Sequence, residues 1–410
     1  MALLSVNQAR ERILSQLKPV STELMKLTGC ANRVLAQDIA ASTDLPPFDN
    51  SSMDGFAVRA VDVANTTGAS PQRLGVVADI PAGSAPTIFL APGQAARIMT
   101  GAQVPEGADA IVPVEETDFD SRDAGSPPPE QVLILKAAQP GANIRTRGMD
   151  IKAGEIVLKK GRRLQPQDLG LLAMLGAAEM QVHRQPRIAL LSSGDELVGA
   201  DAPMEPGKIR DSNSYMLAAS IESAHAEALR LGVARDTRES VEALFERASS
   251  HPVDMIISSA GVSVGAFDFI KEVVESNGRM DFWRVNMRPG KPLAFGEYRG
   301  IPFIGLPGNP VSAFVGFEVF VRASLGRLGG ELNGGRHAVR VRTVEEINSD
   351  GRESYLRAIV EEKNGVLSAK LTGHQGSGNL RSLVQANALL IISAGVKCVP
   401  AGQEVHAWLL

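Results

Sequence analysis

The chain has 410 residues, 44% of them hydrophobic and 21% charged, with a net charge of −4. That length suits about two to four globular domains, and the composition argues against long disorder. Mild acidity and an aromatic content of 4% argue against broad electrostatic capture of nucleic acid or a base-stacking platform.

Ser5-x-x-Gln8 followed by Ile13, Leu14 and Leu17 is a capping-box pattern that predicts a helix over residues 6–18. Residues 45–140 change character. Short alternating stretches such as AARIMT and DAIVPVEET lie between PAG, APG, PEG and DAGSPPP turns, the pattern of a small all-β module. Residues 119–130 read as its exposed hairpin tip, and Asp54-Gly55 and Thr100-Gly101 as turns. RTRGMD (145–150) reads as a surface hairpin, with a phosphate grip as the alternative. QPQDLGLLAMLGA (165–177) predicts a second helix with Pro166 in its first turn, expected to pack on the N-terminal helix.

From residue 186 the rhythm becomes strand, loop, helix. RIALLSS predicts a strand, and Asn213 caps a helix using Leu217, Ile221 and Leu229 that stops at Gly232. Residues 239–250 predict another helix, DMIISS a second strand, DFIKEVVESNG a helix, DFWRVNM a third strand and IPFIGL a fourth. Asn309-Pro310 then starts a long helix through VSAFVGFEVFVRASLG. The alternation predicts a doubly wound, mostly parallel sheet over residues 180–328. Past LGGELNGG, the stretches AVRVRTV, YLRAIVE, ALLIIS and EVHAWLL predict a final β-rich domain.

Ligands of a doubly wound sheet bind outside the carboxyl ends of its strands. The loops there are SSGDEL with Ser193, Gly194 and Glu196, and SSAGVSVGAFD with Ser258, Gly261, Ser263, Gly265 and Asp268. RPGKP adds Arg288, Lys291 and Pro292, and LPGNPVSA adds Pro307, Gly308 and Ser312. Small residues let backbone N–H groups approach an anion, and four such loops on one sheet point to a phosphate-bearing ligand. Glu196 and Asp268 can hold Mg²⁺ with substrate phosphates as co-ligands, although spacing alone favours Asp268 as a helix cap. Arg357 and Ser377, the latter in the Gly-rich GHQGSGNLRS, can offer guanidinium and hydroxyl donors to an oxyanion. Cys30 and Cys398 form no CxxC pair and the histidines are scattered, so neither a disulfide scaffold nor a zinc site is expected. No long apolar run or secretory leader is present, and a cytoplasmic location without membrane partners is expected.

In order, SSMDGFAVR, RIMTGAQVPEGADAIV, NIRTRGMDI, SSGDEL, SSAGVSVGAFDF, RPGKPLAF and LPGNPVSAF closely resemble the molybdopterin molybdenumtransferase family, the MoeA-type proteins related to gephyrin. The resemblance spans residues 5–405. It implies a multidomain α/β plus β fold. Residues 1–44 and 141–178 would form an elongated mixed domain and 45–140 an inserted β module. Residues 179–329 would form a molybdopterin-binding α/β domain and 330–410 a C-terminal β-barrel.

The implied reaction is Mg²⁺-dependent insertion of molybdate into adenylylated molybdopterin, giving molybdenum cofactor and AMP. The family is homodimeric, and its site joins the α/β and C-terminal domains of one subunit to the β module of the other. That brings Asp54 and Thr100 to the site, and it makes the molybdopterin adenylyltransferase a candidate partner. Residue by residue, Asp268 matches the acidic position linked to catalysis and AMP release, and Glu196 another acidic site position. Lys291, Pro292, Arg357 and Ser377 match the molybdate pocket, and Asp150 a further acidic position. Arg288, Ala260 and Ser193 depart from the family's usual lysine, glycine and threonine. The alternatives are the preceding adenylylation reaction and a non-catalytic scaffold of the gephyrin type.

Overall fold

A computed structural model describes residues 3–119, 127–259, 267–332 and 334–410. The chain forms two compact units, Met1–Gln37 with Lys160–Leu169 and Ala178–Leu410, and Asp38–Lys159 with Gly170–Ala177.

The first unit is built on six strands in the order Glu227–Ala234, Arg187–Ser193, Met255–Ser259, Ile301–Leu306, Pro292–Tyr298 and Gly278–Arg284. The first four run parallel, Pro292–Tyr298 runs against them and Gly278–Arg284 pairs antiparallel to it, so the sheet is mostly parallel as expected. Arg187–Ser193 and Met255–Ser259 are buried almost throughout, which is why they read as unbroken apolar runs rather than alternating ones. One face is covered by Val6, Ala9 and Ile13 of the helix Val6–Gln16, by Leu217 and Ile221 of Asn213–Ser223, and by the helix that starts at Pro310. The other carries Val241 and Phe245 of Arg238–Ser249 with Ile270 and Val273 of Phe267–Ser276.

Three expectations are corrected. The helix from Asn213 ends at Ser223, because His225 adopts a positive φ of 59° and turns the chain. Leu229 and Gly232 therefore lie on the edge strand Glu227–Ala234, whose apolar residues had extended the helical spacing by coincidence. DFWRVNM supplies an antiparallel edge strand, and Pro292–Tyr298 is a further strand hairpinned to Ile301–Leu306. Finally, the helix Pro166–Met174 does not share a core with the N-terminal helix: its Leu171, with Leu175 just beyond, packs with Ala41 and Leu45. Its first-turn Pro166 and the Ser5–Gln8 capping box are as expected.

The long helix from Pro310 runs to Leu328 through a π-helical turn, Phe317–Val321. Glu318 in that turn is fully buried and accepts from Arg322 and Arg336.

After it, Ala338–Thr343, Glu353–Lys363, Val366–Leu371, Ala388–Ile392 and Glu404–Leu409 pair round a closed ring. This is the expected C-terminal barrel, filled by Val341, Leu356, Ala358, Val360 and Leu390. Met287–Arg288 pairs in parallel with Glu353–Ser354, so the start of RPGKP is laid along a barrel strand.

The second unit holds five strands ordered Ala110–Pro113, Gly55–Val58, Gln94–Ile98, Gln72–Ile80 and Gln131–Ile134. Gly55 lies so close to its neighbour that a Cβ would sit 2.1 Å from the Val112 carbonyl oxygen. Only glycine fits beside Asp54.

Candidate functional site

A cavity of about 620 Å³ opens where the α/β sheet's loops meet the barrel. SSGDEL contributes Glu196, RPGKP contributes Arg288, Lys291 and Pro292, and LPGNP contributes Pro307, Gly308 and Ser312. The barrel adds Arg357 and Ser377. The sequence had placed these residues on separate loops, and the fold brings them to one wall.

Local chemistry fixes each loop. Gly290 has φ +99°, which a side chain would oppose, and it turns the chain immediately before Lys291. Asn309 caps the helix that begins with Pro310 at its first position. The Asn213 amide donates to the Gly308 carbonyl at 2.7 Å, and the Val311 N–H donates to the Ser377 carbonyl at 3.1 Å. The latter bond ties the Gly-rich barrel loop to the start of the helix.

Arg357 is the central feature. It is 0% exposed. Its Nε donates to Ser382 Oγ at 3.1 Å and its Nη2 to the Gly376 carbonyl at 3.0 Å, while the buried Nη1 has no partner among the described residues. Burial, with the nearby charge of Arg288, pushes its pKa down to about 10, so the group stays cationic at neutral pH. A buried donor without a partner costs about 1–3 kcal/mol, more when charged, and an oxyanion removes that cost.

Three more cations, Arg288, Lys291 and Arg352, line the cavity. Lys291 makes no ion pair among the described residues. Arg352, which sequence reasoning missed, donates Nη1 to the Met287 carbonyl at 3.2 Å and Nε to Asp350 at 3.0 Å. The Arg352 guanidinium, aided by Arg288, holds the Asp350 carboxyl below its usual range, and Arg288 Nη1 lies 3.9 Å from it. Gln375 was also missed. Neither had a sequence signal, since SDGRES looks like an ordinary acidic turn and GHQGSG like a flexible loop.

Glu196 adds an acidic group to the same lining. The Glu196 carboxylate folds over Gly194, whose φ is +150° and where a Cβ would meet Glu196 Oε2 at 2.7 Å. Glu196 accepts no side-chain hydrogen bond among the described residues, which leaves both oxygens available. Nearby, the Asp236 N–H donates to Asp195 Oδ1 at 3.2 Å. Burial, with the charges of Asp195 and Glu196, raises the Asp236 carboxyl. No group of three His, Cys, Asp or Glu residues among the described residues is placed to hold a metal ion.

Ser193 and Ser258 are buried at the ends of adjacent strands, and their hydroxyls lack partners among the described residues. Gly261, Ser263 and Gly265 lie outside the described residues, as does the Asp268 side chain. The backbone of Asp268 occupies the first turn of the helix Phe267–Ser276.

In the second unit, Asp54 accepts from the Thr100 hydroxyl and the Thr100 N–H, both at 2.7 Å. These two bonds hold its carboxyl below the usual range. RTRGMD is paired internally. Arg145 bonds Asp150, and Arg147 donates to Asp44 at 2.6 Å, so neither arginine is a free phosphate grip.

Comparison with known proteins agrees along the whole chain. Residues 4–176 match the MoeA N-terminal region (domains I and II), 189–327 a probable molybdopterin binding domain, and 340–410 the MoeA C-terminal region (domain IV). The chain is 38% identical to the molybdopterin molybdenumtransferase of Nostoc sp., over 94% of this chain and 88% of that one. It is 39% identical to molybdopterin molybdenumtransferase 2 of Mycobacterium tuberculosis, over 98% of each. A solved structure of the molybdopterin biosynthesis MoeA protein from Pyrococcus horikoshii matches with a TM-score of 0.83 and 29% identity, covering 100% of both chains.

Proposed function

Because the chain belongs to the molybdopterin molybdenumtransferase family, we propose that it transfers molybdenum to molybdopterin in the synthesis of molybdenum cofactor. The observation that carries this reading is the buried Arg357 with an N–H left over, beside Lys291 and Ser377. Molybdate is a tetrahedral dianion, and fixed guanidinium, ammonium and hydroxyl donors on one wall complement it.

The finer steps extend that reading. Arg357, Lys291 and Ser377 hold molybdate, with Pro292 closing the turn beside it. Arg288, Arg352, Pro307, Gly308 and Ser312 line the remaining space, where the adenylylated substrate's phosphates meet positive charge and backbone N–H groups. Ser193 and Ser258 bring unpartnered hydroxyls at the ends of adjacent sheet strands, and Gly261, Ser263 and Gly265 are assigned to the same substrate.

Mg²⁺, when bound, neutralises the phosphoanhydride oxygens, and the donor set fits it. Glu196 offers an uncommitted carboxylate in the cavity lining, and Asp268, at the start of the helix Phe267–Ser276, is assigned as the second ligand; both residue types are hard oxygen donors. The substrate is adenylylated molybdopterin, delivered by the adenylyltransferase, and AMP leaves. The protein acts as a homodimer in which Asp54 and Thr100 of the partner subunit face the cavity. The four-domain division at residues 44/45, 140/141, 178/179 and 329/330 belongs to the same proposal.

The test is purified protein with adenylylated molybdopterin, Mg²⁺ and molybdate. AMP release with formation of active cofactor is expected, and Asp268→Asn should slow AMP release while the protein stays folded. No turnover under these conditions would sink the reading.

A further inference from the structure

Gln375 makes an unusual set of bonds. The Arg357 N–H donates to Gln375 Oε1 at 2.9 Å, and Gln375 Nε2 donates to the Arg357 and Gly373 carbonyls, both at 3.1 Å. The need for it lies in the barrel ladder. Strand Val366–Leu371 ends with Leu371 opposite Ala358, so at Arg357 the ladder has run out of backbone partners save for the Thr372 N–H, which donates to the Arg357 carbonyl at 3.1 Å. The Gln375 amide replaces the missing strand, presenting one acceptor and one donor as a peptide group would. From there the chain runs through Gly376, whose carbonyl takes Arg357 Nη2, to Ser377 on the cavity wall.

We propose that Gln375 is a positioning residue for the oxyanion: its amide locks the Arg357 backbone and the turn carrying Ser377, and so sets molybdate affinity. This rests on the assignment of molybdate to Arg357. A site of this kind must be held to within about half an ångström by residues around it, and a glycine-rich loop has no stiffness of its own.

The barrel contains an internal control. The Val360 N–H donates to Asn387 Oδ1 at 2.7 Å, and Asn387 Nδ2 donates to the Val360 carbonyl at 2.9 Å. This is the same two-bond clamp on the same strand, but Asn387 does not line the cavity.

The experiment is equilibrium dialysis of the full-length protein with molybdate, with thermal midpoints measured in parallel, for wild type, Gln375→Met, Gln375→Glu, Asn387→Ala and Arg357→Lys. Gln375→Met keeps the volume and loses all three bonds, two of them to Arg357, and it should weaken molybdate binding about tenfold, in keeping with the loss of those two hydrogen bonds. Gln375→Glu keeps the acceptor for the Arg357 N–H, loses the donor and adds negative charge, and should weaken binding at least as much. Asn387→Ala should lose comparable thermal stability and bind molybdate as wild type does. Wild-type affinity in both Gln375 variants, or an equal loss in Asn387→Ala, overturns the proposal. If wild type binds no molybdate, or Arg357→Lys binds it unchanged, the oxyanion assignment itself falls and the proposal falls with it.

Discussion

In the proposed anion site, Arg357 and Lys291 would divide the work in different ways. The guanidinium is buried and held in place by Ser382 and Gly376, so its orientation is settled before any ligand arrives. The lysine is exposed and adjustable, a point charge on a flexible stem. Arg357→Lys keeps the charge but loses the planar fork, and molybdate affinity should fall at least tenfold with little change in fold. Differential scanning fluorimetry checks it: molybdate at 100 times the wild-type Kd should raise the midpoint of the variant less than that of wild type, since it stabilises wild type by about 2.7 kcal/mol and a tenfold weaker binder by about 1.4 kcal/mol.

At the same scale, Asp54 is held ionised by two Thr100 donors. A carboxyl lowered in the folded state contributes stability above its unfolded pKa and loses it as pH falls through the folded value. Thr100→Val removes the larger of the two bonds' effects, so the Asp54 carboxyl should move up toward its ordinary value in an NMR titration. An unmoved carboxyl would contradict the pairing.

Elements place these residues through a few joints. The π-helical turn at Phe317–Val321 is one, because it buries Glu318 between Arg322 and Arg336 where helix, linker and final strand meet. Removing one partner of a buried pair leaves an uncompensated charge and costs about 3–5 kcal/mol. Glu318→Gln should therefore lower the free energy of unfolding, measured by chemical denaturation, by about that amount, and a loss below about 1 kcal/mol would contradict it.

Much of this level was legible beforehand. The capping box at Ser5, Pro166, Asn309-Pro310 and the buried strands RIALLSS and DMIISS carry strong local signals. The strand Glu227–Ala234 was not, because its leucines continue the helical spacing of Leu217 and Ile221, and the break depends on His225 accepting a left-handed turn. Pro292–Tyr298 was hidden by a leading proline, which edge strands and strand starts tolerate.

For the whole molecule, a net charge of −4 conceals a cavity lined by four cations, Arg288, Lys291, Arg352 and Arg357, and one carboxylate, Glu196. Composition averages over 410 residues, and the field at a cleft depends on a handful. Loop residues singled out in the sequence, Pro292, Pro307 and Gly308 among them, line the cavity, and ordered motifs gave most of its lining. Arg352 and Gln375 stayed hidden because barrel closure, a long-range event, is what brings them there. Binding of a dianion to partly exposed cations should weaken with ionic strength, so the KM for molybdate should rise between 50 mM and 500 mM salt, while a flat response would contradict a charge-driven site.

The central claim is that the leftover N–H of Arg357 holds an oxyanion. A crystal of the full-length protein soaked in molybdate tests it directly through the anomalous signal of molybdenum. The account predicts a peak within hydrogen-bond distance of Arg357 Nη1, with Lys291 and Ser377 around it. Full occupancy at another place in the cavity, with Nη1 still unpaired, would contradict it.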